Sequence, residues 1–181
     1  MGTRSIRCGA LAVVVVVAAL ALLPATARAS VSPTFTISGA EYAATSTEGK
    51  FFGFARGSAG DTGFWHADVV HQPLSAACSL TSTGCAVAPG GSILVVTSSG
   101  DIVSGAFTGG SITLVREAPG CGTQLFHVVG QLQTSAGPAV FDVALTHNRV
   151  FFGSCVTVSA TVGPDQRDAV PGTLSFSTDL P

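Results

Sequence analysis

The stretch Phe64-Trp65-His66-Ala67-Asp68-Val69-Val70-His71 holds two of the four histidines of the chain, an aspartate and the sole tryptophan. Imidazole changes charge near neutral pH, so these histidines are candidates for moving protons. A histidine two residues from a carboxylate also has the ingredients of a partial metal site. Extended backbone divides the cluster, because strand side chains alternate between faces. Trp65, Ala67, Val69 and His71 then share one face, and His66, Asp68 and Val70 share the other. The apolar set is expected inward, with His71 at the wet end of its row. His66 and Asp68 turn outward with no third ligand indicated, so no metal is expected.

Residues 141–147 repeat the pattern: Phe141, Val143, Leu145 and His147 form a second inward row ending in histidine. His71 and His147 are therefore the candidate acid/base pair, provided one rim brings them together. The competing reading is two amphipathic residues closing core strands, their ring nitrogens bonded to loops, and the residue types favour it. Trp65, Phe141 and Phe54 are the aromatic groups expected near a ligand. Arg56 follows Phe52 and Phe54 on one face, where it would serve as an internal anchor or sit in solvent at the strand end. His127 is expected outward, because Phe126, Val128 and Leu132 make the better core face. Glu41, Tyr42, Asp101 and Asp142 suit a mouth but single out no chemistry.

Familiar catalytic signatures are missing. No serine lies in an intact G-x-S-x-G elbow, and no H-E-x-x-H, Walker loop or complete G-x-G-x-x-G occurs. A binding protein is favoured over an enzyme, and no cofactor is implied.

The elements that must position these residues are strands. Runs of five to ten residues rich in Val, Ile, Phe and Thr end at Gly, Ser, Asn or Pro, with no sustained helical period beyond the N-terminus. The expected strands are 34–38, 48–57, 63–72, 92–97, 102–108, 111–117, 123–134, 139–147, 154–162 and 173–178. Ser99-Gly100-Asp101, Gly109-Gly110 and Ser135-Ala136-Gly137-Pro138 read as tight hairpin turns. Gly163-Pro164-Asp165-Gln166-Arg167-Asp168 reads as a polar linker. Pro73 to Gly91 reads as a long loop without a strand, passive or lying over a mouth. Short turns between consecutive strands predict an all-β fold, a small antiparallel up-and-down barrel of about eight to ten strands, with a sandwich as the alternative.

The first 29 residues read as a secretory signal peptide. Arg4 and Arg7 precede the apolar run Cys8–Leu23, and Ala27-Arg28-Ala29 offers a cleavage box. Residues 30–181 then form one secreted domain, with no membrane anchor after cleavage. That domain carries five basic and ten acidic residues, a net charge of −5, and Lys50 is the one lysine. Without clustered Lys and Arg, nucleic acid is not an expected partner. Oligomeric state is not indicated. Four cysteines remain: Cys78, Cys85, Cys121 and Cys155. In an oxidising compartment an even count predicts two disulfides. Of three pairings, Cys78–Cys85 with Cys121–Cys155 is favoured, because in a meander the starts of alternate strands lie at one end. The spacings suit no common zinc knuckle.

The segments "GKFFGFARG", "FWHADVVH" and "GCGTQLFHVVGQL" give most of residues 34–178 a pattern that resembles small secreted bacterial β-barrel proteins, of the lipocalin-like or allene oxide cyclase/dirigent-like kind. The resemblance implies a central cavity for a small apolar ligand. It carries no catalytic motif, so it assigns no residue a role. A cyclase or isomerase using the cavity, and a structural or cell-surface module with a filled core, are the alternatives it leaves open.

Overall fold

Alternation of apolar and polar residues runs through the chain as ten strands among the described residues: β1 (Thr34–Ala44), β2 (Glu48–Gly57), β3 (Thr62–Val70), β4 (Cys85–Ala86), β5 (Gly90–Thr97), β6 (Ile102–Glu117), β7 (Gln124–Thr134), β8 (Gly137–Phe151), β9 (Cys155–Gly163) and β10 (Thr173–Phe176). One helical turn, α1 (Ala76–Ser79), follows β3. This is a computed structural model that describes residues 34–58, 60–163 and 172–177. The expected signal peptide, residues 164–168 of the expected linker and Thr178 lie outside the described residues.

The strands form one antiparallel sheet in the order β1-β2-β3-β5-β6-β7-β8, with β4 as a short addition beside β6. β9 and β10 both pair with β8 on one side and β1 on the other, which closes the sheet into a barrel. No edge of the main sheet is left open to aggregate. The two closing strands act as one stave. Gly163 stands opposite Ala144 and Thr173 opposite Asp142, so Gly172 falls opposite Val143 and the ladder resumes where it stopped.

Three expectations are corrected. Gly109-Gly110 is not a hairpin: β6 runs through it as a 16-residue strand. Its first half pairs with β5 and its second half with β4, and a register slip between Phe107 and Gly109 lets it bend along β7. A side chain at Gly110, where φ is 145°, would place Cβ 2.1 Å from the Val129 carbonyl oxygen. The Pro73–Gly91 loop does contain structure, α1 and β4, and His71 bridges to Val87 within it. β1 continues past Ser38 to Ala44, through a bulge between Glu41 and Ala43.

The inward faces meet in a packed interior. Trp65, Phe35, Phe107, Phe141, Ile37 and Leu174 are at most 2 % exposed. Phe141 packs between Trp65 and Phe107, with ring centroids 5.7 and 5.8 Å away. Each such side chain contributes roughly 1.5–3 kcal/mol by leaving water. On one side the indole's cross-strand neighbours are glycines, Gly53 on β2 and Gly39 beyond it on β1, and on the other side its neighbour is Val95. Trp65 Nε1 donates to the Ser38 carbonyl at 3.1 Å, which satisfies its one polar atom. Disulfides join Cys78 to Cys85 and Cys121 to Cys155. The first staples the loop after β3, and the second ties the start of β9 to the turn before β7. No described helix is long and apolar enough to cross a membrane.

Candidate functional site

The interior is filled along its middle, but a cavity of about 160 Å³ remains at one mouth. Its apolar walls include Phe51, Val69, Ile112, Val128 and Leu145, and Pro73 and Leu74 of the stapled loop close over it. Its ionisable rim is Glu41, His71 and His147. The strand rows explain the meeting. His71 follows the inward residues Trp65, Ala67 and Val69, and His147 follows Phe141, Val143 and Leu145, both toward the same end of the barrel.

Glu41 reaches the cavity by plain alternation along β1, on the same face as Phe35, Ile37 and Gly39. It stands opposite the inward Phe51, and Ala44 stands opposite the inward Gly49. Tyr42, the unpaired residue of the bulge that follows, lies on the outer surface, where its ring packs on Phe52 and its hydroxyl meets His66 Nε2 at 2.9 Å. The bulge re-aims the residue after it, turning Ala44 toward the mouth. Gly49 makes room for the carboxylate: a Cβ there would lie 2.7 Å from Glu41 Oε1 and 2.8 Å from the Phe51 ring.

Glu41 Oε2 approaches His147 Nε2 to 3.2 Å, with side-chain exposures of only 9 % and 14 %. The approach is close enough for charge attraction but lies off hydrogen-bonding geometry, since buried Nε2 has no hydrogen-bond partner among the described residues. The His147 ring is held edge-on against Phe126, centroids 5.3 Å apart. His71 is oriented differently. Its Nδ1 lies 2.8 Å from the Gln72 carbonyl oxygen, and a carbonyl can only accept, so Nδ1 carries the hydrogen. Nε2 of the neutral ring is then the lone-pair nitrogen. The mouth thus combines a carboxylate facing one imidazole with a second imidazole of defined tautomer on an apolar cavity, a set able to bind a polar group or pass a proton.

The other residues singled out from the sequence fall elsewhere. Trp65 and Phe141 are core residues and do not line the mouth. Phe54 and Arg56 lie on the outer face, where with Phe64 and Val96 they border an open groove. His66 and Asp68 also face outward, in a surface cluster with Lys50 and Glu48. There Ser92 donates to Asp68 at 3.2 Å. The Glu48 hydrogen bond and the nearby Asp68 charge hold the Lys50 ammonium above its usual pKa. His127 bonds Asp142 at 2.7 Å on the outer face of β7 and β8. Among the described residues, no group of three or more His, Cys, Asp or Glu is placed to hold a metal ion. Glu41 is the site residue that the sequence suited to a mouth without assigning it any chemistry, and the polar break at Gly39-Ala40-Glu41 gave no strand signal to carry β1 as far as that residue.

Compared with known proteins, the chain matches no family model, no curated protein and no solved structure.

Proposed function

We propose that this chain is an exported, disulfide-stapled barrel that binds one small, largely apolar molecule at its mouth, between Glu41, His71 and His147. The observation that carries the reading is His147 Nε2, buried beside an apolar cavity without a hydrogen-bond partner. Buried polar atoms in native proteins are nearly all paired, so an unpaired one invites a ligand atom. An apolar cavity of roughly 150 Å³ holds a molecule the size of benzene, and this one measures about 160 Å³. The favoured ligand is therefore one ring bearing a single hydroxyl or carbonyl. Two disulfides suit an oxidising compartment outside the cytosol.

The test uses phenol and benzene as probes, with the histidine Cε1–H signals followed by NMR. Phenol is expected to bind more tightly than benzene and to shift the His71 and His147 signals. Val128→Phe, checked for an unchanged circular dichroism spectrum, is expected to abolish the shifts by filling the cavity. No shift with either probe at millimolar concentration would overturn the reading.

A second reading rests on the lone pair of His71 Nε2 beside the Glu41–His147 pair. The same mouth would move a proton within a bound carbonyl compound, as an isomerase or cyclase does. Cyclohexanone in D2O is expected to exchange its α-hydrogens faster with the protein than in buffer, and His71→Gln is expected to remove the difference. Equal rates with and without protein would leave binding alone.

A further inference from the structure

The contact between Glu41 and His147 is also a piece of the barrel wall. β1 and β9 pair at Gly39 with Val162 and at Ala40 with Thr161. Beyond those pairs, residues 41–44 stay on β2 and residues 157–160 stay on β8, and the two strands part. The gap between them is a second cavity, of about 240 Å³. Glu41, Ala44 and His147 line both this slit and the mouth cavity, so they stand where the two spaces meet.

The slit differs from the mouth in chemistry. Thr157, Val158 and Ser159 of β9 line it with Tyr42 and Ala43 of β1. Ser159 Oγ accepts from Asn148 Nδ2 at 3.1 Å, which leaves its own hydrogen free to donate. Main-chain N–H and C=O groups on alternate residues of the parted strands also turn toward the gap, where no ladder partner meets them. The mouth therefore offers carbon to a ligand, and the slit offers donors and acceptors.

The unpaired nitrogen of the site lies at this junction. His147 Nε2 faces Glu41 and has no hydrogen-bond partner among the described residues. A cavity beneath the Cys78–Cys85 loop also touches His147, but Glu41 does not line it. The slit is thus the space that adjoins Nε2. A ligand oxygen bonded there has the apolar mouth on one side and the polar slit on the other. An anionic arm would meet the Glu41 carboxylate, so a neutral one is favoured. A cavity of roughly 150 Å³ holds a benzene ring, and at about 240 Å³ the slit has room for a six-membered ring bearing hydroxyls. Pro73 and Leu74 close over the mouth, and the slit gives the arm its way to water.

We infer that the ligand is an amphiphile in two parts, an apolar ring in the mouth joined through an oxygen at His147 to a neutral, hydroxyl-rich arm that leaves between β1 and β9. The inference rests on the mouth reading above and adds the class of molecule, an aryl glycoside or aryl polyol ether.

Phenol and phenyl β-D-glucoside test it, with affinities taken from the histidine Cε1–H shifts of the oxidised protein. The glucoside is expected to bind about tenfold more tightly than phenol, the gain that one or two added hydrogen bonds bring. Ser159→Phe and, from the other wall, Ala43→Phe change exposed positions. With melting temperature as the check on folding, each is expected to erase that difference by filling the slit. Phenol that binds as tightly as the glucoside overturns the inference and leaves the mouth reading standing. A glucoside advantage that survives both substitutions, or that Ala76→Phe beneath the loop removes instead, overturns the slit as the path of the arm. If neither compound binds at millimolar concentration, the mouth reading fails and the inference fails with it.

Discussion

Glu41 and His147 come within 3.2 Å of each other across the closing stave of the barrel, one from the first strand and one from the eighth. Between β1 and β8 lies only the β9–β10 stave, so the pair spans the place where the chain's two ends close the sheet. A carboxylate and an imidazole this little exposed support each other, and removing one leaves the other in an apolar cavity. Breaking a fully buried pair costs roughly 3–5 kcal/mol. This one keeps some exposure, so His147→Ala is expected to cost about 2–4 kcal/mol in chemical denaturation. Glu41→Gln combined with His147→Ala should cost clearly less than the two single changes added. Strict additivity would show that the two groups do not interact.

Gly49 tests the room beneath that carboxylate. A methyl group there must push aside Glu41 Oε1 or the Phe51 ring, both nearer than 3 Å to the new atom. Gly49→Ala is expected to cost about 1–3 kcal/mol, the usual range for overpacking. It should also weaken phenol binding, because the Glu41 side of the mouth moves. Unchanged stability would mean the carboxylate is not seated on Gly49.

The two disulfides should contribute unequally. By loop entropy, Cys121–Cys155 closes about 35 residues and should stabilise by about 3–4 kcal/mol, and Cys78–Cys85 closes about 8 and should stabilise by about 2.5 kcal/mol. Denaturation of the paired alanine variants measures both. The smaller loss should nevertheless have the larger effect on ligand affinity, since Pro73 and Leu74 cover the mouth beside the Cys78–Cys85 loop. The reverse order of effects on binding would show that the loop is not a wall of the site.

Lys50, as the one lysine, can be titrated by NMR without ambiguity. Its midpoint is expected above the ordinary lysine value of about 10.4, with the Glu48 hydrogen bond as the largest cause and the Asp68 charge next. Glu48→Gln should therefore lower the midpoint more than Asp68→Asn. The folded pKa is raised, so whatever stability this cluster adds is present below the unfolded value of about 10.4 and disappears as pH rises through the folded one. A midpoint at or below 10.4 would show that the carboxylates do not hold the ammonium.

The barrel was legible from alternation and turn spacing, and so was the inward set of His71 and His147, because both rows keep strict period two. The Gly39–Glu41 stretch was not. A glycine, an alanine and an inward carboxylate carry no apolar signal, and the bulge at Tyr42 shifts the faces after it. Gly109-Gly110 reads as a turn by composition, but the ladder with β7 passes through it. The placement of Phe54 and Arg56 was obscured because "FFGF" has aromatics on both faces. Hydrophobicity alone favours the larger set inward. The structure does the opposite, pointing Phe51, Gly53 and Ala55 in and Phe52 and Phe54 out, and the inward position at Gly53 has no room for a side chain, since a Cβ there would lie 1.9 Å from the Ser38 carbonyl oxygen on β1. Trp65 and Phe141 are large enough to line a cavity but fill it with each other instead.

The stave shared by β9 and β10 makes this barrel a natural acceptor for grafted sequence. Hydrogen-bond register passes from Gly163 to Gly172 as though they were consecutive, and the Gly163 Cα lies only 3.3 Å from where a Gly172 Cβ would sit. Closure is thus set by the two flanking segments. Epitopes, tags or whole domains inserted between those glycines should be carried at the β1–β8 junction, with the ladder on either side unaltered.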